Sequence, residues 1–113
     1  MGGVLSSELK NTRLETLRSF AEKRPQDPFP RYALAMELKT SGDAGGAWRA
    51  FAALIADHPD YIASYAPAGE VLIGLDRIDE ARLVYGKGID ACIRQNNAHA
   101  RDHLDSALAE LDK

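Results

Sequence analysis

Little in this chain of 113 residues would support a disulfide, a membrane span or a strongly charged surface. It contains a single cysteine, Cys92, so an internal disulfide is excluded and a reducing compartment is favoured. No window approaches the roughly 18–20 apolar residues that cross a bilayer. The first residues also lack the basic and apolar regions of a secretory signal. We therefore expect a cytoplasmic protein with no membrane partner.

The net charge of −3 disfavours broad binding to phosphate groups, so we expect no nucleic-acid partner. The charge is uneven, however. Residues 1–55 hold 8 lysines and arginines against 6 acidic residues, whereas residues 56–113 hold 6 against 11. Two interpretations stay open. The charges either scatter over a solvated helical surface, or they make a dipolar molecule whose acidic side meets a basic partner or a second copy of the chain.

Residues that could carry chemistry occur in few useful patterns. His99 and His103 are four apart and would share a helical face, but a zinc site needs a third ligand, so we interpret them as solvated. Spacing fixes no histidine beside Cys92, which is better explained as a small buried residue. Gly86-Lys87-Gly88 lacks the flanking residues of a phosphate loop. We therefore expect no enzyme activity, no cofactor and no metal.

What the sequence does contain is a pattern that recurs every 34 residues. The matching positions hold prolines, large apolar residues and small residues: Pro25 and Pro59; Leu17, Phe51 and Tyr85; Ala35 and Gly69; Ala47 and Ala81. Small residues let two helices approach closely, and large ones fill the gap between neighbouring pairs. Such a period predicts helical pairs that stack side by side, because one pair cannot bury its apolar face alone.

Turn signals divide the chain into six predicted helices, at about residues 8–23, 28–40, 44–57, 61–73, 78–96 and 98–111. Asp27 and Asp43 are predicted to cap the second and third, and Ser6 or Ser7 the first. Pro67 lies inside the fourth, which it should kink or delay. The sixth is out of register, because its apolar residues match those of the second helix at a shift of 70 rather than 68. Trp48 is expected to pack between units.

These residues resemble the tetratricopeptide repeat (TPR) of small bacterial-type proteins. One unit matches the family pattern with Ala35, Gly42, Ala47, Phe51 and Pro59. A second unit matches it with Tyr65, Gly69, Ala81 and Tyr85. The resemblance implies an all-α fold of about six helices, wound as a right-handed α–α superhelix. It divides the chain into a flexible leader (1–7) and one TPR-like domain (8–113), built from a half repeat (8–25), two repeats (28–61 and 62–95) and a capping helix (98–111).

The resemblance also implies binding rather than chemistry. In this family the first helix of each pair lines a concave face. The residues expected there are Phe29, Tyr32, Met36, Lys39, Glu70 and Ile73. Some relatives hold a peptide carboxylate with basic residues at these positions, but Glu70 would repel one. The mixed apolar surface suits an apolar side chain or a helix of another protein.

We therefore expect a scaffold or adaptor that binds a peptide segment or helix in this groove, as a monomer or weak homodimer. Three alternatives stay open. Phe29, Tyr32 and Met36 could belong to the core, or they could form a self-association surface. The chain could also be a structural subunit, or a homodimer module of a larger complex, with no separate peptide ligand.

Overall fold

The structure, a computed structural model, describes residues 2–113, with side chains from Thr12 onward. Its regular structure in this range is entirely helical. The elements in chain order are α1 (Gly2–Lys23), α2 (Pro28–Thr40), α3 (Ala44–Asp57), a 3-10 turn (Ile62–Ser64), α4 (Tyr65–Gly74), α5 (Ile78–Arg94) and α6 (Ala98–Leu111). The prediction of an all-α chain with six helices is therefore confirmed.

Short-range capping fixes the starts of α2 and α3. The Asp27 carboxylate accepts a hydrogen bond from the Phe29 amide at 3.0 Å, and the Asp43 carboxylate accepts one from the Gly46 amide at 2.9 Å. Each bond satisfies one of the amides that a helix leaves unpaired at its first turn. Both caps agree with the sequence prediction.

The predicted start of α4 was wrong. The helix begins at Tyr65 rather than near Tyr61, and the 3-10 turn occupies the intervening residues. Pro67 consequently falls in the first turn, where a residue needs no N–H for the helical ladder. A delayed start therefore accommodates this proline, and α4 runs on unbroken to Gly74.

The start of α1 also differs from its prediction. The helix begins at Gly2 rather than near Glu8, so residues 2–7, predicted to be a flexible leader, are helical. No proline interrupts this stretch, which allows the helix to continue toward the N-terminus. Met1 and the side chains of Ser6 and Ser7, which include the predicted serine cap, lie outside the described residues.

Each helix packs against the next one along the chain, which produces a row of helical hairpins. The core follows the 34-residue pattern: Ala35, Ala47, Phe51, Ala81 and Tyr85 are all buried. Trp48 is half-buried against this core, with the Arg77 guanidinium 5.7 Å from the centre of its ring. Because Arg77 lies in the turn before α5, Trp48 links its own unit to the next, as expected.

The turns after α2, α4 and α5 share one backbone feature. Gly42, Asp76 and Asn96 adopt φ values of 90°, 59° and 55°. This left-handed conformation reverses the chain at a helix end, and glycine adopts it without steric cost. Asp76 therefore occupies the same position in its turn that Gly42 occupies in the preceding unit. The left-handed conformation is less favourable for Asp76, because aspartate has a β-carbon and glycine does not.

Candidate interaction surface

The first helices of successive hairpins share a surface. Lys39 on α2 forms an ion pair with Glu70 on α4, with 3.1 Å between the ammonium nitrogen and the carboxylate oxygen. A depression joins the start of α4 to α6, and its lining residues are Ile62, Ala63, Ala66, His99, Ala100, His103 and Leu104. Helices that are not consecutive in the chain therefore meet here, and we call this face the α2–α4–α6 surface.

On α2, the predicted groove residues differ in how firmly they are held. Phe29, in the first turn, is 61% exposed. Tyr32 is half-buried, and its ring centroid lies 5.7 Å from that of Tyr61. Met36 is half-buried and packs against the core. Tyr32 and Met36 are thus fixed by packing while part of each stays open to solvent.

Tyr61 reaches this surface from the connection between α3 and α4. Its ring is tilted by 39° to that of Tyr32, which is a favourable arrangement for two aromatic rings. Burial raises the pKa of the Tyr61 phenol, and the neighbouring Tyr32 and Asp27 raise it further. The phenol is therefore neutral at physiological pH, and it can donate or accept one hydrogen bond.

Three residues of the surface, Lys39, Glu70 and Ile73, lie in the C-terminal halves of α2 and α4. The Lys39 and Glu70 side chains are both partly exposed, so the ion pair contributes at most about 1 kcal/mol to stability. Its larger effect is on the net charge of the surface, because the ammonium and the carboxylate neutralise each other. Ile73, near the end of α4, is 38% exposed. The sequence thus placed all six predicted residues on α2 and α4, and their role in binding stays a prediction.

The depression on the α6 side was missed by the sequence reasoning. It encloses about 260 Å³, below the roughly 300–1,000 Å³ of typical small-molecule sites. Alanine, isoleucine and leucine side chains make most of its lining, with His99 and His103 beside them. The sequence contains a pattern that indicates this side of the surface. The shift of 70 that aligns the second helix with the sixth also aligns the predicted groove residue Phe29 with His99.

Other groups considered from the sequence are not assembled into a reactive site. Within residues 12–113, no three His, Cys, Asp or Glu side chains are grouped so that they could hold a metal ion. Cys92 is fully buried. Burial raises the pKa of its thiol, Asp105 raises it further and Arg101 lowers it, so the reactive thiolate is disfavoured at neutral pH.

None of the helices between residues 2 and 113 combines the length and apolar character that crossing a bilayer demands.

Comparison with known proteins gives a clear result only at the level of structure. No protein-family model matches the chain, and no curated protein matches it. The solution NMR structure of a tetratricopeptide repeat domain protein from Salinibacter ruber aligns with a TM-score of 0.72 and 33% identity, over 77% of this chain and 88% of that one. A crystal structure of a tetratricopeptide repeat domain protein from the same organism aligns with a TM-score of 0.72 and 32% identity, over 76% and 97%. The chain therefore belongs to the tetratricopeptide repeat family, whose fold is a protein-interaction repeat fold.

Proposed function

We propose that this protein is an adaptor or scaffold that binds a peptide segment or helix of another protein across the α2–α4–α6 surface. One observation carries the proposal: three helices that are separate in the chain contribute partly exposed apolar side chains to one surface. A binding site assembled from a rigid stack is preorganised, so little conformational entropy is lost on binding.

The residues of α2 supply the anchors in this proposal. Aromatic residues and methionine are enriched at the centres of protein interfaces. Tyr32 and Met36 are suited to this role because the core holds one side of each while the other side is open. Phe29, which is largely exposed, adds apolar area that a partner would remove from water.

The depression beside α6 limits the size of the partner side chain that could bind in it. Its volume of about 260 Å³ suits a single apolar side chain of a bound segment better than a free small molecule. The Lys39–Glu70 pair would lie along the path of that segment and would disfavour a run of like charge. The proposed partner is therefore a mixed or amphipathic segment with at least one large apolar side chain.

The same observations favour binding over catalysis, and we place the protein in the cytoplasm as part of this proposal.

A second candidate function is that of a structural subunit in a larger complex. It is favoured by apolar side chains on α5, away from the α2–α4–α6 surface, where Leu83 is 67% exposed and Ile93 is 49% exposed. Such side chains are covered when a subunit is built into an assembly.

Peptides selected by display against the intact protein test the first proposal. The Tyr32→Ala, Met36→Ala double variant should weaken binding by about 30-fold or more, since truncating two interface anchors costs about 2 kcal/mol or more. Leu83→Ala is the matched control and should bind as the wild type does. Phe29→Ala provides a variant with little risk to folding, because that side chain is mostly exposed.

Equal affinity of the double variant, with helicity and melting temperature retained, would reject the α2–α4–α6 surface as the site. Loss of binding in Leu83→Ala alone would instead favour the subunit role and a site on α5.

A further inference from the structure

Equivalent positions on the α2–α4–α6 surface carry side chains of very different size. The shift of 34 aligns Phe29 on α2 with Ala63, in the 3-10 turn before α4. The same shift aligns Tyr32 with Ala66, in the first turn of α4. Both alanines line the depression beside α6. The depression therefore lies where the second unit has alanines at positions that hold aromatic residues in the first unit.

The inner part of the depression is apolar and belongs to the core. Leu104 is only 2% exposed. A β-carbon at Gly88 on α5 would lie 2.8 Å from its Cδ1 methyl group, so α5 supports Leu104 from the core side. Ile62, Ala66 and Ala100 are half-buried and pack against the same core. Packing therefore fixes the floor of the depression, and a partner ring placed on it would be removed from water.

The exposed part of the lining is polar without a permanent charge. His99 and His103 are both exposed, and among residues 12–113 neither imidazole has a hydrogen-bond or ion-pair partner. No lysine, arginine, aspartate or glutamate of that range lines the depression. A neutral imidazole offers one N–H donor and one acceptor nitrogen. The depression thus combines an apolar floor with hydrogen-bonding groups that the described chain leaves available.

We propose that this depression binds the side chain of a tyrosine in the partner segment. The ring lies against Ala66 and Leu104, and the hydroxyl group forms a hydrogen bond with His99 or His103. A tyrosine suits such a site because its ring is apolar while its hydroxyl group both donates and accepts. The inference rests on the proposed function, because it names the chemistry of one residue in the segment that the α2–α4–α6 surface binds.

Other side chains match the lining less well. Phenylalanine covers the apolar floor but forms no hydrogen bond with the imidazoles. A carboxylate or an ammonium group would lose hydration against the floor without meeting an opposite permanent charge in the described lining. An aliphatic side chain has neither an aromatic face nor a hydroxyl group. Ala66 is consequently a specificity-determining residue, since a larger side chain there would take the space of the ring.

Titration of the isotope-labelled intact chain with N-acetyltyrosine amide, followed by NMR, tests the proposal directly. We expect millimolar binding, as suits a ligand of this size, with amide shifts concentrated at Ala63, Ala66 and Ala100. N-acetylphenylalanine amide should bind about threefold more weakly or worse, because it lacks one hydrogen bond. N-acetylleucine amide should bind more weakly still.

Four variants identify the residues responsible, and circular dichroism verifies that each is folded. Ala66→Leu should weaken binding of N-acetyltyrosine amide about tenfold or more, because leucine fills the depression. Ala63→Leu should act in the same direction with less risk to folding, since Ala63 is exposed. Ala53→Leu is the matched control on the exposed side of α3 and should bind as the wild type does. The double variant His99→Phe, His103→Phe keeps both rings without their nitrogens, so it should bind the tyrosine and phenylalanine amides equally.

A display-selected peptide separates this inference from the proposed function. A peptide that binds the α2–α4–α6 surface without a tyrosine, and binds Ala66→Leu equally well, would leave the proposed function standing and overturn the tyrosine site. Binding of N-acetyltyrosine amide in the depression, with no peptide bound by the protein, would support the site and reject the function. The site is also overturned if the three amides bind equally, if none shifts the residues of the depression, or if Ala66→Leu has no effect.

Discussion

The Tyr85 ring on α5 fills the space that a side chain at Gly69 on α4 would need. A β-carbon at Gly69 would lie only 2.8 Å from the Tyr85 hydroxyl oxygen and closer still to ring carbons. The preceding pair has Ala35 and Phe51 at these positions, and both are fully buried. The larger aromatic side chain of the second pair is thus accommodated by the loss of a methyl group on the facing helix.

Gly69→Ala should destabilise the protein. Alanine favours a helix over glycine by about 1 kcal/mol, but forcing a methyl group against a packed ring costs about 1–3 kcal/mol. We expect a net loss of about 1–2 kcal/mol in the free energy of unfolding, measured with urea. Gly86→Ala is the control. Apart from its two chain neighbours and the nearby backbone of its own helix, no atom of the described residues lies within 4 Å of its added β-carbon, so it should gain about 0.5–1 kcal/mol. Equal effects at the two sites would contradict the packing argument.

Ser64→Ala should leave the protein as stable as the wild type or stabilise it by about 1 kcal/mol. The Ser64 hydroxyl is fully buried and has no hydrogen-bond partner among the residues that the structure describes. Removing an unsatisfied hydroxyl removes its desolvation cost.

Asn97→Ala provides the contrast to Ser64→Ala. The Asn97 side chain accepts a hydrogen bond from the Ala100 amide at 3.0 Å and caps α6, so its loss should cost about 1 kcal/mol. Thermal unfolding of both variants measures the difference. A Ser64→Ala protein that is less stable than Asn97→Ala would show that the hydroxyl is bonded in solution.

Asp76→Gly should stabilise the protein by about 0.5 kcal/mol. Asp76 has a φ of 59°, a conformation that costs a residue with a β-carbon roughly 1–2 kcal/mol, somewhat less for aspartate. The greater freedom of glycine in the unfolded chain offsets part of that gain. Gly42→Ala, at the equivalent turn, should lose about 1–2 kcal/mol, because its φ is 90°. Urea midpoints of the two variants should move in opposite directions, and a shift in the same direction would argue against the turn assignment.

Stability should fall at alkaline pH, in part through Tyr85. Burial raises the pKa of this phenol above 10.0, and Glu70 raises it further. The unfolded chain then loses the phenol proton first, so the contribution of Tyr85 to stability is complete below about pH 10 and is lost as the pH rises through the folded pKa. Tyr61 and Tyr65 are shifted in the same direction. Tyr85→Phe should therefore reduce, without abolishing, the slope of unfolding free energy against pH above about pH 10. An unchanged slope would exclude Tyr85 as a contributor.

Much of the fold could be predicted because helix ends depend on neighbouring residues. Asp27 and Asp43 cap the helices that directly follow them, and the α6 bounds agree with the prediction. The start of α4 could not be fixed in this way. Pro67 is compatible with either a kink or a late start, and packing of the whole row decides between them.

The site was less accessible to sequence reasoning than the fold. Tyr32 and Met36 lie where the core stripe of α2 borders its exposed face, and periodicity alone does not separate neighbouring stripes of one helix. His99 and His103 were interpreted as solvated because the sequence offers no third zinc ligand, and both are exposed. The depression appears only when α6 is placed beside the start of α4.

The central claim is that a protein segment binds where α2, α4 and α6 meet. The most direct test is to titrate the isotope-labelled chain with a display-selected peptide and to map the amide shifts by NMR. The account predicts that shifts concentrate at Tyr32, Met36, Ala66 and His99, while α3 and α5 change little. Shifts concentrated on the exposed side of α5, around Leu83 and Ile93, would contradict it.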